Sequence, residues 1–274
     1  MSIIDSIFLG IVQGLTEFLP VSSSGHLAVM KYFLELKDVP ILFDVILHVG
    51  TLIVVLIFFR RRIAAILVSI FHLIVGERSE EDRENLWLTV LIIFATLVTG
   101  IVGVFLSNYE NTFTRNMPFV SLMFLLTAVI LLVGGRRKLP EGEAKGYKKL
   151  SIGNSLLVGL AQGIGVLPGI SRSGITISSS LFLGMEREKA AEFSFLISIP
   201  AILGAVILEL KDIGRLIKLV SVTNLLVGFV TSFITGYLAL AFLVRIVKRG
   251  RIYVFSFYLV PLGITVFVIS MIIR

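Results

Sequence analysis

Cysteine is missing from this 274-residue chain, so disulfides, thiol chemistry and cysteine-ligated zinc are excluded. Charge is scarce too: Asp, Glu, Lys and Arg make up 16% of residues, against 56% hydrophobic and a mean hydropathy of +1.00. A soluble domain seldom exceeds about half apolar residues, so this composition is that of an integral membrane protein. Nothing shows the alternation of an outer-membrane β-barrel, whereas apolar runs of roughly 18 or more residues suit helical spans. Met1-Ser2-Ile3-Ile4-Asp5 has no basic region, and no small-residue cleavage site follows. The first segment is therefore expected to stay in the mature protein.

The net charge is +7, yet the basic residues gather at the ends of apolar runs, as cytoplasmic loop anchors do. No basic helix with interleaved aromatics stands on a soluble module, so no nucleic-acid partner is expected.

Against this apolar background stands Gln13-Gly14-Leu15-Thr16-Glu17-Phe18-Leu19-Pro20-Val21-Ser22-Ser23-Ser24-Gly25-His26. A second stretch answers it: Gln162-Gly163-Ile164-Gly165-Val166-Leu167-Pro168-Gly169-Ile170-Ser171-Arg172-Ser173-Gly174-Ile175-Thr176. In each, a Gln-Gly pair and a proline lead to a serine-rich turn that ends in Ser-Gly, and the copies lie 149 positions apart. That is the mark of a duplicated unit.

The plan is all-α and polytopic. Residues 3–19 and 22–35 form a re-entrant hairpin, because the second limb is too short to span and broken helices are tolerated at depth only beside protein or a polar cavity. Spans are predicted at 40–59, 86–107 and 117–135, with 63–75 lying along the interface and Ser107 to Asn111 forming a polar turn. The second half repeats this with a hairpin from 150–167 and 173–185, then spans at 189–210, 221–247 and 253–273. One hairpin plus three spans crosses an odd number of times, so the second copy is expected upside down. The expected organisation is one membrane domain over 1–274, with repeat 1 at about 1–138, a linker at about 139–149 and repeat 2 at about 150–274. With the termini outside, the inner loops hold seventeen Lys and Arg and the outer segments seven, the expected bias. The basic segment Lys211 to Lys218 fits this topology least.

The tips carry the chemistry. Gln13 and Glu17 share one helix face, and Ser23 and His26 begin the returning helix facing the same way. Ser22, Ser23 and Ser24, like Ser171 and Ser173, supply N-cap hydroxyls beside free backbone N–H groups. Two helix starts aimed at the midplane make an anion site, and Arg172 adds a guanidinium suited to phosphate. A phosphorylated molecule reachable from within a membrane is the expected ligand. A carboxylate beside phosphate calls for a divalent cation, with Glu17 as its hard oxygen ligand and Gln13 nearby. Alternatively Glu17 orients or deprotonates His26, the natural acid or base near neutral pH. Ser23 is the candidate nucleophile.

Plainer readings exist for the same residues. Ser22 and Ser24 can serve simply as caps, and Glu17 with Arg172 as a structural ion pair. Asp44 and His48, one turn apart, fit either support of the site or the interface; His72 reads as structural, and Glu192 and Glu209 as snorkelling side chains. Yet ionisable residues at membrane depth are functional by default.

At these residues the chain resembles the bacterial undecaprenyl-diphosphatase, or bacitracin-resistance, family. The likeness covers Gln13 to Leu27 and Leu167 to Thr176 and extends to Phe43-Asp44-Val45-Ile46-Leu47-His48-Val49-Gly50-Thr51. It implies a metal-dependent phosphatase using Mg2+ or Ca2+. Such an enzyme removes the terminal phosphate of undecaprenyl diphosphate to recycle the carrier of peptidoglycan and other envelope polymers, and its overexpression lowers bacitracin susceptibility. It implies an inner-membrane location, a site opening to the periplasm, and a homodimer. Glu17, Ser23, His26 and Arg172 fall on the family's catalytic positions. Ser22, Ser171, Ser173 and Thr176 fall on its phosphate-proximal positions, with Ser24 and Gly25 in the same turn. Gln13 departs from the glutamate of many members, which puts more of the metal's binding on Glu17 or on the substrate. From another class, inverted repeats with broken helices also build transporters, so a transporter or flippase of a phosphorylated lipid or anion is the alternative.

Overall fold

Three helices begin in the same way. Ser2, Ser79 and Ser151 each accept a hydrogen bond from the backbone N–H three residues on, while Asp5, Asp82 and Asn154 reach back to the cap residue. These reciprocal bonds satisfy N–H groups that the first turn leaves unpaired. The structure is a computed structural model and describes residues 1–34, 36, 41–76, 79–137, 143–209 and 219–272. The first part of the expected linker and the segment Lys211 to Lys218 lie outside these.

The described chain is helical. In order it forms α1 (Ile3–Phe18), α2 (Ser23–Phe33), α3 (Ile41–Phe58), α4 (Arg60–Val75), α5 (Glu80–Ser107), α6 (Glu110–Arg115) and α7 (Met117–Gly135). It continues with α8 (Ile152–Ile164), α9 (Arg172–Phe182), α10 (Arg187–Glu209), α11 (Val222–Lys248) and α12 (Ser256–Ile272), with short 3-10 turns before α8 and α12. Among the described residues five helices are long and apolar enough to cross a membrane: α5, α7, α10, α11 and α12 with its leading turn. The protein is a multi-pass membrane protein. α3 and α4 make a further apolar pair, bent by 72°, so 63–75 does not continue the preceding span. The polar turn expected at Ser107 to Asn111 runs on into α6, and α5 starts six residues before its apolar run because the Ser79 box caps it there.

Packing follows from side-chain size. On α5, Ile93, Leu97, Ile101 and Phe105 are exposed in an apolar stripe suited to lipid, while Leu88, Leu91, Ala95 and Thr99 are buried. α8 lies along this buried face, and α1 lies in the same manner along α11. A Cβ at Gly10 would come within 2.7 Å of the Gly228 carbonyl oxygen, and one at Gly163 within 2.6 Å of the Val102 Cβ. Glycines thus let these helices approach closely where apolar burial gives no drive between helices in lipid. α7 packs on α12, and α3 on α10 and α11.

Glu192 does not snorkel. It lies 2.9 Å from Arg62 Nε and accepts the Tyr147 hydroxyl hydrogen bond at 2.9 Å, while Arg62 also donates to Asn85 at 2.8 Å. Tyr147 is fully buried, and burial with the adjacent Glu192 carboxylate pushes its hydroxyl well above the usual phenol range. It therefore stays a donor. His72 meets Asp82 at 3.2 Å; the Glu209 side chain lies outside the described residues.

Candidate active site

The two tips are tied to each other by backbone and hydroxyl groups. Ser22 Oγ accepts from the Gly25 N–H at 3.2 Å and from the Gly169 N–H at 3.1 Å. Ser173 Oγ donates to the Phe18 carbonyl at 3.1 Å. Ser22 holds φ at 72°, a left-handed value that costs a non-glycine residue about 1–2 kcal/mol. The strain sits where the first tip grips the second. Ser171 Oγ caps α9 through the Gly174 N–H at 3.1 Å and lies 3.3 Å from Ser173 Oγ. Thr176 bonds back to the Arg172 carbonyl at 2.7 Å and meets Ser194 of α10.

Between the tips stands the Glu17 carboxylate. Its Oε2 accepts from Ser23 Oγ at 2.7 Å and from Gln13 Nε2 at 3.0 Å, and lies 3.2 Å from His48 Nε2. Its Oε1 accepts from the Arg172 guanidinium at 3.1 Å. Glu17 is 8% exposed and Arg172 24%, so the pair is held largely away from water but not sealed. A narrow crevice opens beside it, its polar lining Glu17, Arg172, Ser173, Thr51, Ser194 and Ser198. His48 Nδ1 lies 2.8 Å from the Asp44 carbonyl. A carbonyl only accepts, so Nδ1 carries the hydrogen and the Nε2 contact is a hydrogen bond only with a further proton between ring and carboxylate.

Chemically, Ser23, Glu17 and Arg172 make a hydroxyl aimed at a base, with a cation on the base's other oxygen. Glu17 and the Gln13 amide also bear on a metal. Among the described residues Gln13 Oε1 is buried without a hydrogen-bond partner, so a hard oxygen is left over on the amide that meets Glu17. Among the described residues no three His, Cys, Asp or Glu side chains gather to hold an ion. Two oxygens are fewer than a divalent cation takes, so its remaining ligands would have to come from a bound anion.

The family model of the bacitracin resistance protein BacA matches residues 6–265. The chain belongs to this family. It is 46% identical over 264 residues to the undecaprenyl-diphosphatase of Treponema denticola, covering 96% of each chain. It is 42% identical over 269 residues to that of Desulfosudis oleivorans, covering 96% of this chain and 97% of the relative. The undecaprenyl-diphosphatase of Methanosphaera stadtmanae is 39% identical over 284 residues, covering 99% of each.

In this BacA-family chain the hairpins bring together Glu17, Ser23, Arg172 and Gln13, with Ser22 and Ser171 capping the returning helices and Ser173 and Thr176 early in α9. Ser24 Oγ lies 3.5 Å from Ser22 Oγ, and Gly25 sits where a Cβ would strike Phe124 and Gly169. His26 is not part of the Glu17 cluster: its nitrogens meet the Ser22 carbonyl at 2.7 Å and the Tyr258 hydroxyl at 2.8 Å. Ser23 and His26, expected to work together, thus turn to different partners. Sequence reasoning left His48 open and passed over Thr51, Ser194, Ser198 and Tyr258. Thr51, Ser194 and Ser198 are small polar residues within apolar helices, and that was their signal.

Proposed function

We propose that this BacA-family protein hydrolyses undecaprenyl diphosphate to undecaprenyl phosphate and phosphate, returning the lipid carrier to peptidoglycan and envelope polymer synthesis. One observation carries this reading: a single carboxylate, Glu17, is held by a serine of its own tip and an arginine of the other. The names of the relatives supply the substrate class.

The diphosphate head enters the crevice beside Glu17 while the prenyl chain stays among the helices. Arg172 and the helix-start N–H groups hold the charge of the transferred phosphoryl group. Ser23 Oγ attacks the terminal phosphorus and passes its proton to Glu17. The bond to the bridging oxygen breaks, undecaprenyl phosphate leaves, and water then hydrolyses the phosphoserine to phosphate and serine. Gln13 and His48 keep Glu17 in place, and His26 is the second acid–base group of the tip. Glu17 and Gln13 Oε1 would hold Mg2+ or Ca2+ together with substrate oxygens, and the cation supplies charge neutralisation there.

The exchange of partners between halves, with α1 on α11 and α8 on α5, supports a single domain of two inverted repeats, 1–138 and 150–274. We place the protein in the bacterial inner membrane as a homodimer, its site facing the periplasm, and expect lowered bacitracin susceptibility on overexpression.

The test is phosphate release from undecaprenyl diphosphate by purified protein in detergent, with EDTA and after Mg2+ or Ca2+ is restored. Detergent offers one compartment, so release there belongs to hydrolysis and not to transport. The expected result is release that EDTA abolishes and metal restores. Folded protein that releases none contradicts the reading.

A further inference from the structure

Outside the Glu17 cluster the first tip has one more titratable group, His26, and its partner comes from 232 residues away. The Nδ1 atom lies 2.7 Å from the Ser22 carbonyl oxygen. Since a carbonyl can only accept, Nδ1 carries the hydrogen and the lone pair is on Nε2. That lone pair faces the Tyr258 hydroxyl at 2.8 Å, so Tyr258 donates. The two rings are within 12° of parallel, and Phe124 of α7 stands edge-on to His26 at 5.1 Å between centroids. α7 and α12 pack along each other. His26 therefore rests against two helices, α7 and α12, and among the described residues Tyr258 is the side chain of theirs that hydrogen-bonds it.

We propose that Tyr258 is the positioning residue for His26. The Ser22 carbonyl fixes the tautomer, and the Tyr258 hydroxyl holds the Nε2 edge of the ring in place, so that Nε2 is the tip's second proton acceptor once the hydroxyl releases it. The assignment rests on the phosphatase reading of the same site. Without the hydroxyl the phenyl ring still packs against His26, but the imidazole keeps only its Ser22 bond and its Nε2 edge is no longer held. Fewer molecules then hold the acceptor in place. Tyr258 makes none of the contacts that hold the anion, which belong to Arg172 and the helix starts, so binding should be spared.

Wild type, His26→Ala, Tyr258→Phe and the double variant would be compared for kcat and KM in phosphate release from undecaprenyl diphosphate. The expected result for Tyr258→Phe is a kcat lower by about tenfold, part of the ~10²–10⁴ that a placed acid or base contributes, with KM within about twofold. On the His26→Ala background the same change should add nothing. An unchanged kcat overturns the proposal. So does a further loss in the double variant, which is the pattern of a packing role. Full activity of His26→Ala overturns it too, since nothing would then be positioned. Wild type without release removes the phosphatase reading itself. An active wild type, an inactive His26→Ala and a fully active Tyr258→Phe remove only the role of Tyr258.

Discussion

At the scale of single residues, Glu17 is the group whose environment matters most. A carboxylate that is 8% exposed needs its partners, and removing one partner of a buried charge costs about 3–5 kcal/mol. His48→Ala should therefore lower both thermal stability in detergent and kcat/KM, the latter by about tenfold, while His48→Gln keeps a donor and recovers part of each. A wild-type kcat/KM in His48→Ala would leave the contact without function. Ser22 offers a cleaner contrast. Its φ of 72° favours glycine, whereas its hydroxyl serves two backbone N–H groups. Ala and Gly both remove the hydroxyl, but only Ala keeps the strain. Ser22→Ala should melt lower than Ser22→Gly by the equivalent of about 1 kcal/mol, and the reverse order would contradict the strain. Glu17, Ser23 and Arg172 were legible because the motifs repeat and charge is rare at depth. The roles of His48 and Tyr258 were not, because a contact across 31 or 232 positions leaves no trace in local spacing.

Helices were the most readable element, and for a simple reason. An apolar run must be long enough to cross lipid, so its length declares it. α7 at Met117–Gly135 begins and ends where the run does. α5 extends beyond its run because polar Glu80 to Asn85 are recruited by the Ser79 cap, a local bond that hydropathy does not register. The pairing of α1 with α11 and of α8 with α5 was invisible in hydropathy; in the structure Gly10 with Gly14 and Gly159 with Gly163 lie on the close faces. A leucine at Gly10 or Gly163 should break these pairings. Both variants are expected to lose folded yield and to shift to aggregate on size exclusion in detergent, whereas leucine at the open position Gly204 should elute as wild type.

For the whole molecule, the absence of cysteine makes sidedness easy to read. The inverted plan puts the Ser107 turn outside and Lys148 inside. In intact cells a membrane-impermeant thiol reagent should label Ser107→Cys and spare Lys148→Cys until the cells are opened. Labelling of both in intact cells would contradict the plan. The central claim is that the two halves contribute to one catalytic site. The most direct measurement is kcat/KM for phosphate release from undecaprenyl diphosphate by wild type, Glu17→Gln and Arg172→Ala, with melting temperatures recorded beside it. Residues on opposite tips serving one phosphoryl group predict that each substitution lowers kcat/KM by about a hundredfold or more in protein that still folds. Wild-type turnover in folded Arg172→Ala would contradict the account.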